Sequence, residues 1–307
     1  MRQVAHKWID QTAIEEDRIV FIGSDLAPDM MPKMRAEAPE RFLMEGICEQ
    51  AITGMAAGMA MEGFIPYVNT ITPFIVQRNL EQISVDICLP NLPVRLIANG
   101  AGMVYAPLGP THTSLNDMAI LRALPNMTLV APCDKEEMAR LMPKTLDWTG
   151  PMYIRTAKGK DKVVSRQDRS FEIGRAIEML DVQQAEVVFI SSGVMTQRAL
   201  EVAEQLQQQG RSVQVLHYHT WVPFDEEALW KWIQTAKTVV TLEEHFVEGG
   251  LGTIVLEHWQ QMQPESLDKL LRLGFKKQFV KTYGTQNEAI DAAGMSVKEI
   301  MNTLKGR

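Results

Sequence analysis

Apolar residues along this chain come in short unbroken blocks that alternate with longer stretches in which they recur every three or four positions. Residues 18–26, "RIVFIGSDL", are an apolar run closing in Gly-Ser-Asp, a strand followed by a turn, and 41–45, "RFLME", is a short second strand. Residues 49–61 read as a helix and 64–71 as a strand. Residues 77–89 form an amphipathic helix with Leu80, Ile83 and Ile87 on one face. Next come a strand at 94–102 entering a Gly-rich loop, and a helix at 114–124 whose N-cap is expected at Ser114. A strand at 127–134, a helix at 135–148 and a strand at 151–157 complete this part. Such alternation implies a mostly parallel sheet covered by helices on both faces.

Residues 158–169, "KGKDKVVSRQDR", interrupt the rhythm with a polar, charged stretch that reads as a linker. The alternation then restarts with strands at 186–193, 212–220 and 238–245. The helices between and after them are 196–210, one from Asp225, one following the turn at 249–262, and a closing helical stretch at 288–306. The expected fold is therefore α/β, with two doubly wound domains divided at 1–165 and 166–307.

Bulk composition narrows the function classes. A chain of 307 residues holds two full cores, and 46% hydrophobic with 22% charged residues describes a globular protein. A net charge of −7 argues against a nucleic-acid partner, and no basic stripe with interleaved aromatics is present. No apolar run is long enough to span a bilayer, and "MRQVAHKWIDQ" lacks the apolar core of a signal peptide. Cys48, Cys88 and Cys133 form no CxxC and read as buried small hydrophobes, so a reducing cytoplasmic setting is expected.

Several local patterns invite a chemical reading. His217 and His219 share a strand face, but no Cys, Asp or Glu accompanies them in sequence, so a structural role is expected. "EGGLG", 248–252, resembles a phosphate cradle without the G-x-G-x-x-G spacing and reads better as a tight turn. No GxSxG elbow exists. Two places remain open. Glu49, in "GICEQ", stands at the head of a helix lined with Gly54, Ala56, Ala57 and Gly58, where it is either a cap or a buried group needing a partner. His112, in "PLGPTHTS", lies in a loop at the carboxyl end of strand 94–102, the edge where ligands of open α/β sheets gather.

"GICEQ", Phe74 with Gln77-Arg78, "GPTH", "LRALPNMTLVAPCD" and "TLEEHFVEGGLG" occur in an order and at spacings that resemble the carboxyl-terminal half of transketolases over nearly the whole chain. The resemblance is to the stand-alone, pyrimidine-binding subunit of a split transketolase. It implies a thiamine-diphosphate pyrimidine-binding domain at 1–165 and a transketolase carboxyl-terminal domain at 166–307. Within the family, the position of Glu49 hydrogen-bonds N1′ of the cofactor's aminopyrimidine and favours its imino tautomer, so that the ring nitrogen can take the thiazolium proton. The resemblance also implies that Phe74, or Ile75 if the register slips by one, stacks on the pyrimidine, and that Asp25 lies near the cofactor. Arg78, His112 and Arg155 fall at substrate-facing positions, with His112 also catalytic.

Two departures bear on specificity. Transketolases carry an acidic residue where this chain has Leu108, and a second histidine where it has Gly100. Donor recognition is thus rewritten while the machinery around Glu49 is kept. The sequence also contains no GDG motif, the family's grip on the diphosphate and magnesium. A partner subunit bearing GDG…N is therefore expected, in an α2β2 assembly, holding Mg2+ and the diphosphate end. The implied reaction moves a two-carbon ketol unit from a ketose, as sugar or sugar phosphate, to an aldehyde. The alternatives are a decarboxylating enzyme like deoxyxylulose-phosphate synthase or the 2-oxoacid dehydrogenases, and a non-catalytic assembly subunit.

Overall fold

The computed structural model describes residues 1–25, 29–157, 162–281 and 283–306. Leu26, the last residue of the first expected strand, and residues 158–161 of the expected linker lie outside the described residues. Twelve strands are present among the described residues: β1 Ile19–Gly23, β2 Phe42–Met44, β3 Ile65–Ile71, β4 Arg95–Asn99, β5 Thr128–Val130, β6 Met152–Thr156, β7 Ile177–Glu178, β8 Val187–Ser191, β9 Val213–His217, β10 Thr220–Val222, β11 Thr238–Phe246 and β12 Leu270–Phe275. They form a seven-stranded sheet in the order β10-β5-β6-β4-β3-β1-β2 and a five-stranded sheet in the order β12-β11-β8-β9-β7. All pairings are parallel except β10 with β5 and β7 with β9.

The unbroken apolar runs are the interior of these sheets. Every residue of β1, β4, β8 and β9 is buried, as strands covered on both faces must be. Helix Glu49–Met61 lays Ile52, Ala56, Ala57 and Ala60 against Val20, Ile22 and Val68 of the sheet. Its alanines let the helix backbone approach the sheet closely, as dense core packing requires.

Four expectations need correction. The helix expected at 77–89 is present but begins three residues later, as Leu80–Gln82 running without a break into a wider π turn at Ile83–Cys88, and a separate short helix, Thr72–Val76, precedes it. Helix Asp117–Arg122 begins three residues late with Asn116 as N-cap, because Ser114 exchanges both backbone hydrogen bonds with Gly102. An N-terminal helix, Arg2–Thr12, was not expected; the buried His6 and Asp10 dilute its apolar face, and Asp10 accepts the Met34 amide at 2.9 Å. The run expected as one strand at 212–220 is divided. β9 ends at His217, and Thr220–Val222 leaves the second sheet to pair with Val130 and Leu129 of the first.

Candidate functional site

The carboxyl ends of β1, β2, β3 and β4 open on one edge of the seven-stranded sheet, and "GICEQ" is the link there from β2 to helix Glu49–Met61. Gly46 takes φ +80°, a left-handed conformation open to glycine, and its amide donates to the Ser24 carbonyl at 3.1 Å. That turn delivers Glu49 as the first helical residue, with only 1% of it exposed. Its carboxylate does not cap the helix. The Arg78 guanidinium donates to one oxygen at 2.6 Å, and the Thr70 hydroxyl reaches the other at 3.5 Å.

Arg78 is held in turn. Its guanidinium carbon lies 4.4 Å from the centre of the Phe74 ring, a cation–π contact, and the His112 ring meets Phe74 edge-on at 5.2 Å. Glu49, Arg78, Phe74 and His112 therefore form one continuous cluster, although they come from three separate segments. Ile75 is fully buried in the core, so Phe74 is the residue of that pair that faces the cluster. With its amide oriented to satisfy both ends, buried Asn79 donates to the Phe74 carbonyl at 2.9 Å and to that of Ile75 at 2.5 Å, and accepts the Thr53 hydroxyl. This fixes the Phe74 turn to the Glu49 helix.

The Thr111 hydroxyl lies 2.9 Å from His112 Nδ1, which leaves Nε2 as the ring's outward nitrogen. Leu108 is 55% exposed on the same loop. A side chain at Gly100 would collide with the Tyr105 ring, so an aromatic fills the space beside the missing histidine. Tyr283, from the second domain, packs its ring against Gly109, bringing that domain to the His112 loop. Asp25 is exposed at the end of β1; Ser24 Oγ lies 3.0 Å from its carboxylate and 2.9 Å from Thr70 Oγ1. Ser24 and Thr70 thereby link Asp25 to Glu49, and neither was expected from the sequence. Thr70 was accessible by alternation, since it shares the β3 face of Val68, which packs under the Glu49 helix.

Arg155 is not brought to this cluster. Its guanidinium donates to Asp117 at 2.8 Å and to the Glu244 carbonyl at 3.0 Å, with only 10% of its side chain exposed. Burial alone would lower its pKa, but the charges of Asp117 and Glu244 raise it above the usual value. Arg155 therefore sits at the junction of the two domains, its guanidinium held by Asp117 and the Glu244 carbonyl. Asp117 also accepts the Tyr153 hydroxyl at 2.7 Å.

His217, His219 and the glycine turn lie outside this cluster. His217 Nε2 meets Glu137 at 2.8 Å and its Nδ1 meets Thr196 at 2.7 Å, all fully buried. The Cys133 thiol comes within 4.8 Å of the same groups, so three ligand-type side chains gather here. Glu137 Oε2 takes both His217 Nε2 and, at 2.7 Å, the Cys133 amide, whereas its Oε1 has no hydrogen-bond partner among the described residues and the Cys133 thiol lies 3.7 Å from Asp134. His219 stacks on Phe171 at 4.2 Å. In "EGGLG", the Leu251 and Gly252 amides donate to Glu243 at 2.6 and 3.0 Å, so the turn's donors are taken by its own domain.

Thiamine diphosphate fits one end of this site. A buried carboxylate beside an aromatic ring face, already holding a planar nitrogen cation, suits an aminopyrimidine. None of the clustered side chains supplies a second acid for magnesium, and no GDG occurs in the sequence. No helix among the described residues is long and apolar enough to cross a membrane.

Residues 1–162 match the family model for the pyrimidine binding domain of transketolase, and residues 178–300 match that for the transketolase C-terminal domain. A 6-deoxy-6-sulfo-D-fructose transketolase subunit of Clostridium sp. (strain MSTE9) is 31% identical, over 94% of this chain and 88% of its own length. A 1-deoxy-D-xylulose-5-phosphate synthase of Clostridium kluyveri is 33% identical over 88% of this chain, which spans only 42% of that enzyme. A solved split-gene transketolase, an inactive β4 tetramer, superposes with a TM-score of 0.86 at 29% identity, covering 99% of this chain and 96% of that one. The chain belongs to the transketolase family.

Proposed function

We propose that this transketolase-family chain is the small subunit of a heteromeric enzyme that transfers a two-carbon ketol unit from a ketose donor to an aldehyde acceptor. The observation that carries the reading is the Glu49–Arg78–Phe74–His112 cluster at the sheet edge, in a chain without the GDG element. Domains of 1–165 and 166–307 suit the two sheets, with β10 as the exception. The match to a transketolase subunit over most of both chains favours ketol transfer over a decarboxylating synthase, of which this chain spans under half.

When bound, thiamine diphosphate supplies a thiazolium carbon able to carry the transferred fragment. This chain's part is positional and protonic. Glu49 holds a proton at N1′ of the ring, and its burial excludes competing water. Phe74 offers the ring face on which the pyrimidine stacks. His112, oriented by Thr111, presents Nε2 to a substrate oxygen as donor or acceptor. Arg78 attracts anionic groups of the substrate, and Asp25 borders the cofactor end. Leu108, where the family has an acid, offers a donor hydroxyl no charged partner.

The remaining half of the site belongs to a diphosphate-binding partner bearing GDG…N, which would hold Mg2+, in an α2β2 cytoplasmic assembly. An apolar and small-residue face supports this. Ile47 and Met61 are 67% and 63% exposed, and Ala51, Gly54 and Gly58 lie exposed on the same helix. The test is calorimetry with and without that partner. The chain alone should bind thiamine diphosphate weakly and turn nothing over, and adding the partner should restore both. Tight, magnesium-dependent binding by this chain alone would refute the division of labour.

A further inference from the structure

The contacts that an aminopyrimidine would make in this chain are already made, by Arg78. A guanidinium is a flat N–C–N unit with hydrogen-bond donors in its plane. Here one nitrogen donates to Glu49 at 2.6 Å while the guanidinium carbon sits 4.4 Å from the Phe74 ring centre. Those are the same carboxylate and the same aromatic face. Glu49 is almost wholly buried, and the one other polar contact of its carboxylate among the described residues is Thr70 at 3.5 Å. Without Arg78 it would be a buried carboxylate lacking a charge partner, which is costly. The Arg78 side chain is 38% exposed, so it can leave for water at much lower cost than Glu49.

We infer that Arg78 is a placeholder for the aminopyrimidine: its guanidinium occupies the Glu49 carboxylate and the Phe74 face until the cofactor displaces it. The inference rests on the functional reading above and adds an order to it. Arg78 cannot serve a substrate anion while it is paired with Glu49, so cofactor loading frees a substrate-binding residue and precedes substrate capture. The arrangement stabilises the cofactor-free chain and opposes loading in proportion to the paired population. If the pair is formed about 90% of the time, apparent cofactor affinity is reduced about tenfold.

The sign of one measurement decides this. The assembled complex, stripped of cofactor, is titrated with thiamine diphosphate at saturating magnesium, as wild type and as Arg78→Gln and Arg78→Met. Both variants should bind about tenfold more tightly, because the competitor is gone and Glu49 is left waiting. Melting supplies the second readout: the variants should melt lower than wild type without cofactor, and the gap should close when thiamine diphosphate saturates both. Normal wild-type binding with unchanged affinity in the variants makes Arg78 a substrate contact only and overturns the inference. Weaker binding in the variants makes Arg78 a cofactor ligand and overturns it as well. A wild-type complex that takes up no thiamine diphosphate overturns the functional reading itself, a distinct outcome.

Discussion

Glu49 and Glu137 are both buried carboxylates, and each holds one nitrogen base at short range: Arg78 at 2.6 Å and His217 at 2.8 Å. Their surroundings differ in one respect. Arg78 keeps 38% of its side chain in solvent at the open sheet edge, whereas His217 and Glu137 are both sealed at 0% where the two domains meet. A pair with one wet partner can exchange that partner for a ligand. A pair with none can only be broken at the cost of stranding a charge. The same chemistry therefore leaves an exchangeable pair in one place and a structural clasp in the other.

The largest expected effect sharpens this contrast from the Glu49 side. In the assembled enzyme, Glu49→Gln should slow deuterium exchange at the thiazolium carbon by roughly 10²–10⁴-fold, the usual loss with an acid–base group. The melting temperature should move little, since the stranded Arg78 can hydrate. Unchanged exchange would remove Glu49 from the chemistry. Glu137→Gln should do the reverse, costing about 3–5 kcal/mol of stability because a sealed partner is removed. Exchange per folded molecule should stay normal; a loss there without a loss of stability would erase the distinction.

Acid titration gives a smaller, graded effect. Burial pushes the Glu137 carboxyl up, but the charge and hydrogen bond of His217, with His219 and the Cys133 amide, outweigh it and hold the pKa at about 2. The folded value lies below the unfolded one, so this contribution is present above about 4.5 and lost as pH falls toward 2. Burial also lowers His219 from 6.5 to about 4, so its neutral form adds a loss of stability as pH falls through that window. Denaturant midpoints measured from pH 7 to 4 should fall less steeply in His219→Gln than in wild type. Equal slopes would mean that His219 is not what the acid attacks. The smallest effect expected is at Leu108. Leu108→Asp should improve use of ordinary ketose-phosphate donors about tenfold, because a hydroxyl bond to a charged group is worth about 1.5–3 kcal/mol. No shift in donor preference, in a variant that assembles, would place the specificity elsewhere on the loop.

Much of this was legible in the order of residues. The parallel strands announced themselves as apolar runs because burial on both faces removes polar positions. Glu49, Phe74, Arg78 and His112 were found through their motifs, and the fold brings them together. The contacts of Arg155 were not legible, because its strand end faces the second domain and its partners Asp117 and Glu244 are distant in sequence. The same distance hid Glu137 and Cys133 from His217, whose neighbours in sequence include no acid. Thr70 and Ser24 carry no signature of their own and matter only by lying between Asp25 and Glu49. β12 escaped notice because five of its six residues are only half-buried at a sheet edge, which blurs the alternation.

β10 has a consequence for how the molecule is made. Strand β5 ends at Val130, but the strand that covers its free edge is not synthesised until Thr220–Val222. A nascent chain leaving the ribosome therefore carries an unsatisfied row of backbone donors and acceptors through the synthesis of β7, β8 and β9. Cutting the gene at the linker would leave that edge permanently bare, and the amino-terminal fragment would be expected to seek a substitute strand from another molecule. The division between sheets is thus not a division between folding units, and the carboxyl-terminal half is needed to finish the sheet that bears the site.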